Sequence, residues 1–285
     1  MGQYHKFMNF DKKEILNPPG LLKLMEWSYQ RNEYMLQVEN LLKTSWKGDR
    51  VLVIGDYADD FYEDKYSSEL LKTIREENKE YGVHNIYDYP YREIKNTSAD
   101  SNKLPSRYIN NDSLKEYIDL KKQLIQWVVY EENKNLISGA KIHPLSLALS
   151  CCNGAGGGDY YAPNAHEVGC WITSSNNISF SDELKEGYKD SGILFNEYSD
   201  KENNVEIIID YMTENFKITD IKKIEKIKFS PSLFLDDDEK KHIIEQSIKN
   251  IKEKELKLDN KDEQKDKIIQ DIKDLVMNYE EEIER

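Results

Sequence analysis

Between Cys152 and His166 the chain places four glycines within five positions, in the run Asn153-Gly154-Ala155-Gly156-Gly157-Gly158-Asp159-Tyr160. Backbone this bare lets amide groups approach a phosphate, which makes Asn153, Gly154, Gly156, Gly157, Gly158, Asp159 and Tyr160 a candidate ligand loop. The sharper marks of a nucleotide loop are missing. No Lys-Ser or Lys-Thr follows, and the run leads into Tyr-Ala-Pro-Asn rather than into a helix. Asp159 would also repel a phosphate. The stretch therefore reads first as a tight turn with positive φ angles and second as a ligand or metal loop.

Asp56, Asp59 and Asp60 follow the apolar run Val51-Leu52-Val53-Ile54, and strand ends commonly present functional carboxylates. With Asp159 they could offer oxygen ligands to Mg²⁺ or Ca²⁺, although their spacing matches no established metal loop and a solvated acidic loop is the plainer reading. His143, Cys151, Cys152, His166 and Cys170 contain the atoms for a zinc site. Adjacent cysteines rarely share one tetrahedral ion, however, and neither Cys-x2-Cys nor His-x3-His occurs. A cysteine nucleophile with His143 or His166 as its base is no better supported than small buried thiols. The four tryptophans read as core or hairpin residues rather than stacking platforms. No GxSxG or HExxH signature is present. The catalytic candidates are thus Asp56, Asp59, Asp159, His143 and His166, with no cofactor and no metal expected.

The elements that must position these residues follow from periodicity. Residues 21–43 repeat apolar side chains every three or four positions, the mark of a helix with one buried face. The unbroken run 51–54 suits a strand covered on both sides. A helix is expected over 67–81, a long irregular connection over 82–111, and a further helix from the capping box Ser113-Leu114-Lys115-Glu116. A strand at 124–132 precedes a short buried helix at 142–152, begun by Pro144. Residues 169–181 read as a β-hairpin and 205–212 as a strand. From Asp236 onward Gly, Pro and Trp vanish and acidic residues outnumber basic ones. This arm reads as two amphipathic helices of roughly 20 residues broken at Asp259-Asn260. The fold class expected is α+β, a mixed core with β-hairpins and several helices plus a C-terminal charged helical arm. Its divisions are a core at 1–190, a strand-containing extension at 191–235 and the arm at 236–285.

The whole chain, 285 residues of which 38% are hydrophobic, is long enough to bury a sizeable core. A net charge of −14 argues against direct nucleic-acid binding and for basic partners. No run approaches the roughly 20 apolar residues of a membrane span, so no membrane is expected. Three cysteines are too few for a disulfide framework. Both points suit a cytoplasmic protein.

Six pieces, MGQYHK at 1–6, LLKLMEWSYQRNEYM at 21–35, DRVLVIGDYADD at 49–60, YINNDSLKEYIDL at 108–120, IHPLSLALSCCNGAGGGDYY at 142–161 and VGCWITSSNNISFSDE at 168–183, carry a resemblance to a family of bacterial and phage proteins with no assigned reaction. The resemblance covers roughly residues 1–190 and implies that the glycine stretch, the GDYADD segment and the Trp171 hairpin share one folded unit. Ala155 stands where relatives tend to carry a basic residue, which weakens an anion-binding role for the loop. With the acidic charge, the resemblance points to a non-catalytic inhibitor. It would be encoded by a phage or prophage and dock in the host cytosol on a protein complex of antiviral defence, a nuclease or NTPase, with its helical arm joining copies into a homo-oligomer. The alternatives are a nucleotide- or metal-dependent enzyme using the 56–60 and 153–166 loops, and a small-molecule sponge with its pocket under the glycine loop.

Overall fold

A computed structural model describes residues 3–20, 22–57, 69–95, 105–123, 125–151, 169–172, 177–192 and 204–258. The architecture is α+β, with three sheets, several helices and a C-terminal helix. The chain divides into two compact units, one formed by 1–130, 138–202 and 230–235, the other by 131–137, 203–229 and 236–285. Among the described residues no helix is long and apolar enough to cross a membrane.

The first unit is organised by β1 (His5–Asn9) and β2 (Glu14–Leu16), an antiparallel hairpin in which Phe7 faces Leu16. Its turn is held by Asn9, whose Oδ1 accepts from the amides of Asp11 and Lys12. β3 (Val51–Gly55) runs antiparallel along the other side of β1, pairing Phe7 with Val53. Every residue of β3 is buried, and alternation explains why. Val51 and Val53 enter one apolar cluster with Phe7, Trp27 and Tyr34, whereas Leu52 and Ile54 enter a second with Met8, Ile74 and Tyr89. The sheet is therefore a partition between two cores. Although β3 is the terminal strand of its sheet, its outer edge is closed by residues 149–151. Val53 N donates to Leu149 O at 2.9 Å and Cys151 N donates to Val53 O at 2.9 Å.

The helix expected over 21–43 is interrupted. It forms as α1 (Leu24–Trp27) and α2 (Glu33–Lys43), with Arg31 at φ 64° between them. The reason is competition for backbone hydrogen bonds. Gln30 N donates to Lys141 O at 2.8 Å and Ser28 O accepts from His143 N at 3.0 Å, so 28–30 pair with a distant strand end. Asn32 then caps α2 by accepting from Tyr34 N at 2.9 Å. α3 (Glu69–Glu77) matches the expected helix and buries Leu70, Leu71 and Ile74.

The capping box at 113–116 starts no helix. β5 (Tyr108–Asn111) and β6 (Glu116–Asp119) form an antiparallel hairpin there, after the two-residue strand β4 (Arg92–Glu93). Asn111 Oδ1 accepts from Ser113 N and Leu114 N, both at 3.1 Å, and Lys115 takes φ 56°, so side-chain capping closes a tight turn instead. β7 (Ile125–Glu131) fulfils the strand expected at 124–132 and is followed by β8 (Leu136–Lys141). The short buried helix is α4 (Leu145–Ala148), preceded by Pro144 at φ −66°. The hairpin expected at 169–181 is corrected: residues 169–171 form a turn, and β9 (Ile178–Ser181) pairs antiparallel with β5. β10 (Lys189–Asp190) runs parallel to β6 at the other edge of that sheet.

In the second unit the strand expected at 205–212 is a helix, α5 (Asn204–Asn215). Its β-branched run misleads, but Ile208, Met212 and Phe216 recur every fourth residue and are buried. After α6 (Ile221–Ile224), β11 (Lys228–Phe229) pairs parallel with Leu136 and Ile137. The first arm helix, α7, covers 237–258. It opens on a reciprocal cap in which Glu239 N donates to Asp236 Oδ1 and Asp236 N donates to Glu239 Oε2, each at 2.8 Å. Ile243, Ser247 and Ile251 form its buried stripe, and Ser247 Oγ donates to Met212 Sδ of α5 at 3.8 Å. The expected break at Asp259-Asn260 and the second arm helix lie outside the described residues.

Candidate functional site

Of the catalytic candidates, Asp59, Asp159 and His166 lie outside the described residues, as does the whole loop Asn153, Gly154, Gly156, Gly157, Gly158, Asp159, Tyr160. His143 and Asp56 are described, and each is committed to holding the first unit together.

His143 is wholly buried between β8 and α4, and its Nε2 lies 3.1 Å from Glu39 Oε1 on α2. Glu39 also accepts from Lys43 Nζ at 3.0 Å. Burial pushes the Glu39 carboxyl up, but the hydrogen bond and charge of His143, aided by Lys43, outweigh it and hold the group below the usual carboxylate range. With Glu39 ionised, Nε2 of His143 must carry the proton. The pair reads as an internal tie between α2 and the segment leading into α4. Glu39 was not among the residues singled out from sequence, though it stands one helical turn after Met35 on the buried face of α2 and so could have been suspected.

Asp56 follows β3 and prolongs the β1 ladder. Its amide donates to Tyr4 O at 3.0 Å, its Oδ1 accepts from Tyr4 N at 3.0 Å, and its carbonyl accepts from Asn85 Nδ2 at 2.7 Å. One carboxylate oxygen thus serves the backbone. Cys151 is buried in the second core and Cys170 packs half-buried against the first, in keeping with apolar thiols. Among the described residues no group of three His, Cys, Asp or Glu side chains is placed to hold a metal ion. Trp27, Trp46 and Trp171 are all buried, and the Nε1 groups of Trp46 and Trp171 donate to Glu14 at 2.7 Å and Glu116 at 3.1 Å.

The feature that sequence reasoning missed is a cavity of about 420 Å³ at the start of β1, lined by Tyr4, His5, Lys6, Leu22, Tyr87 and Glu93. Asn17 and Pro18, just after β2, complete its wall. Lys6 is 8% exposed, and its Nζ sits 3.7 Å from the centre of the Tyr87 ring. Burial lowers the Lys6 ammonium below its ordinary value, with Asp88 and Glu93 pulling in the opposite sense. Burial, then the charges of Asp56 and Asp88, push the Tyr87 phenol up to about 12. The available signal was a lysine in a short strand whose neighbours Phe7 and Met8 are apolar. Only the pairing of Lys6 with Ile54 on a fully buried strand turns it inward.

No family model, curated protein or solved structure matches this chain. The resemblance to bacterial and phage proteins is therefore an expectation drawn from the six sequence pieces.

Proposed function

We propose that this chain is a non-catalytic binding protein that docks on a basic protein surface and blocks it. The observation that carries the reading is the charge balance, 54 acidic against 40 basic side chains. A surface built to grip DNA is basic because phosphates are anionic, so an acidic protein competes for it through the same electrostatics. The resemblance to phage proteins supplies the setting. The target class is a host nuclease or NTPase of antiviral defence, met in the host cytosol.

The test is native mass spectrometry of the tagged chain taken from host lysate. A stoichiometric partner is expected that binds DNA by itself, loses that DNA when this chain is added, and dissociates as salt rises toward 1 M, where screening shrinks to about 3 Å. A partner held regardless of salt and indifferent to DNA would overturn the reading, as would a chain that emerges alone.

The arm is the proposed contact between copies. The stripe of Ile243, Ser247 and Ile251 is used within the second unit, whereas Leu256 and Leu258 are 63% and 56% exposed. Replacing both leucines by lysine should lower the mass measured by sedimentation. An unchanged mass rejects this contact.

A further inference from the structure

The cavity at the start of β1 combines features that belong to a ligand site rather than to packing. Its volume of about 420 Å³ falls within the usual range for small-molecule pockets, about 300–1,000 Å³. Lys6 brings an ammonium into it that is almost wholly shielded from water and rests on the Tyr87 ring. Among the described residues, Lys6 Nζ forms neither an ion pair nor a hydrogen bond with a carboxylate. Shielding a cation with no carboxylate in contact is costly, even with the charges of Asp88 and Glu93 nearby, and a ligand that supplies a contacting anion offsets that cost.

The ligand cannot be a simple anion, because Glu93 lines the same cavity and the charges of Asp56 and Asp88 lie nearby. Nor does a simple cation suit a site whose most shielded charge is positive. Glu93 is exposed on the edge strand β4 and, like Lys6, has no ion-pair partner among the described residues. A positive and a negative side chain lining one small space, together with Leu22, Pro18 and two tyrosines, match a molecule that carries both charges and a short apolar or aromatic portion. We propose that this cavity binds a small zwitterion of the α-amino acid type, its carboxylate taken by Lys6 and its ammonium by Glu93. Binding there needs no turnover.

Thermal unfolding of the full chain tests this, with each of the common α-amino acids at about 10 mM beside acetate and methylamine at the same concentration. At ten times Kd, a bound ligand should raise the midpoint by about 3–6 °C for a domain of this size. At least one amino acid is expected to do so while acetate and methylamine do not, and both Lys6→Met and Glu93→Gln should abolish the shift. Should Lys6→Met fail to fold, Glu93→Gln decides, because Glu93 is exposed and supports no core. The proposal is overturned if no amino acid moves the midpoint, if acetate alone reproduces the shift, or if the shift survives in Glu93→Gln.

Discussion

Two buried polar side chains, Tyr34 and Glu39, fasten α2 to its surroundings. Tyr34 donates its hydroxyl to Leu16 O at 2.7 Å and accepts from Phe7 N at 3.2 Å, joining the helix to both strands of the first hairpin. Tyr34→Phe keeps the ring and strands a buried carbonyl, so unfolding in urea should show a loss of about 1–3 kcal/mol. A loss near zero would mean that the hydroxyl is idle. The Glu39–His143 tie carries a pH dependence. Because the folded state holds the Glu39 carboxyl below its ordinary value of 4.5, folding favours the ionised form. That contribution is complete above the unfolded value and fades as pH falls through the lower, folded one. The stability gap between the parent chain and Glu39→Gln should therefore be widest at neutral pH and narrow below pH 4.5. A gap that stays constant with pH refutes the assignment.

At the scale of elements, local signals succeeded where no distant backbone competed with them. Pro144 before α4, the short apolar face of α3 and the strand at 125–131 were all legible, since each depends on its own residues. Serine followed by glutamate at 113–116 reads equally well as a helix cap, and Asn111, accepting from two successive amides, tipped the segment into a hairpin. The pattern Asp236-x-x-Glu239 did become a reciprocal cap, because α7 continues for 237–258 and has a stripe to bury. Asp236→Ala should lower the stability of the second unit by about 0.5–2 kcal/mol, read from its urea midpoint.

For the molecule as a whole, the arm's first helix is part of a core. Ile251 is 2% exposed on the same stripe as Ile243 and Ser247. Ile251→Ala should cost the second unit about 2–5 kcal/mol, the penalty for a cavity in a packed interior. Two separate unfolding transitions are expected from two compact units, only one of them moved by this substitution. Equal displacement of both transitions would show that the units unfold as one.

Composition and periodicity alone determined the α+β class, the acidic character, the doubly covered strand at 51–54 and the helical start of the arm. These depend on which residues are apolar and how often they recur, quantities already present in a linear chain. Tertiary structure decided the rest. It broke the helix at 28–31 by offering Lys141 and His143 as backbone partners, and it turned Glu39 into the counterpart of His143 across a sequence separation of 104. It also brought Lys6, Tyr87 and Glu93 around one cavity. Contacts between residues so far apart leave no mark in local spacing, because what selects them is the space that remains once the two cores have closed.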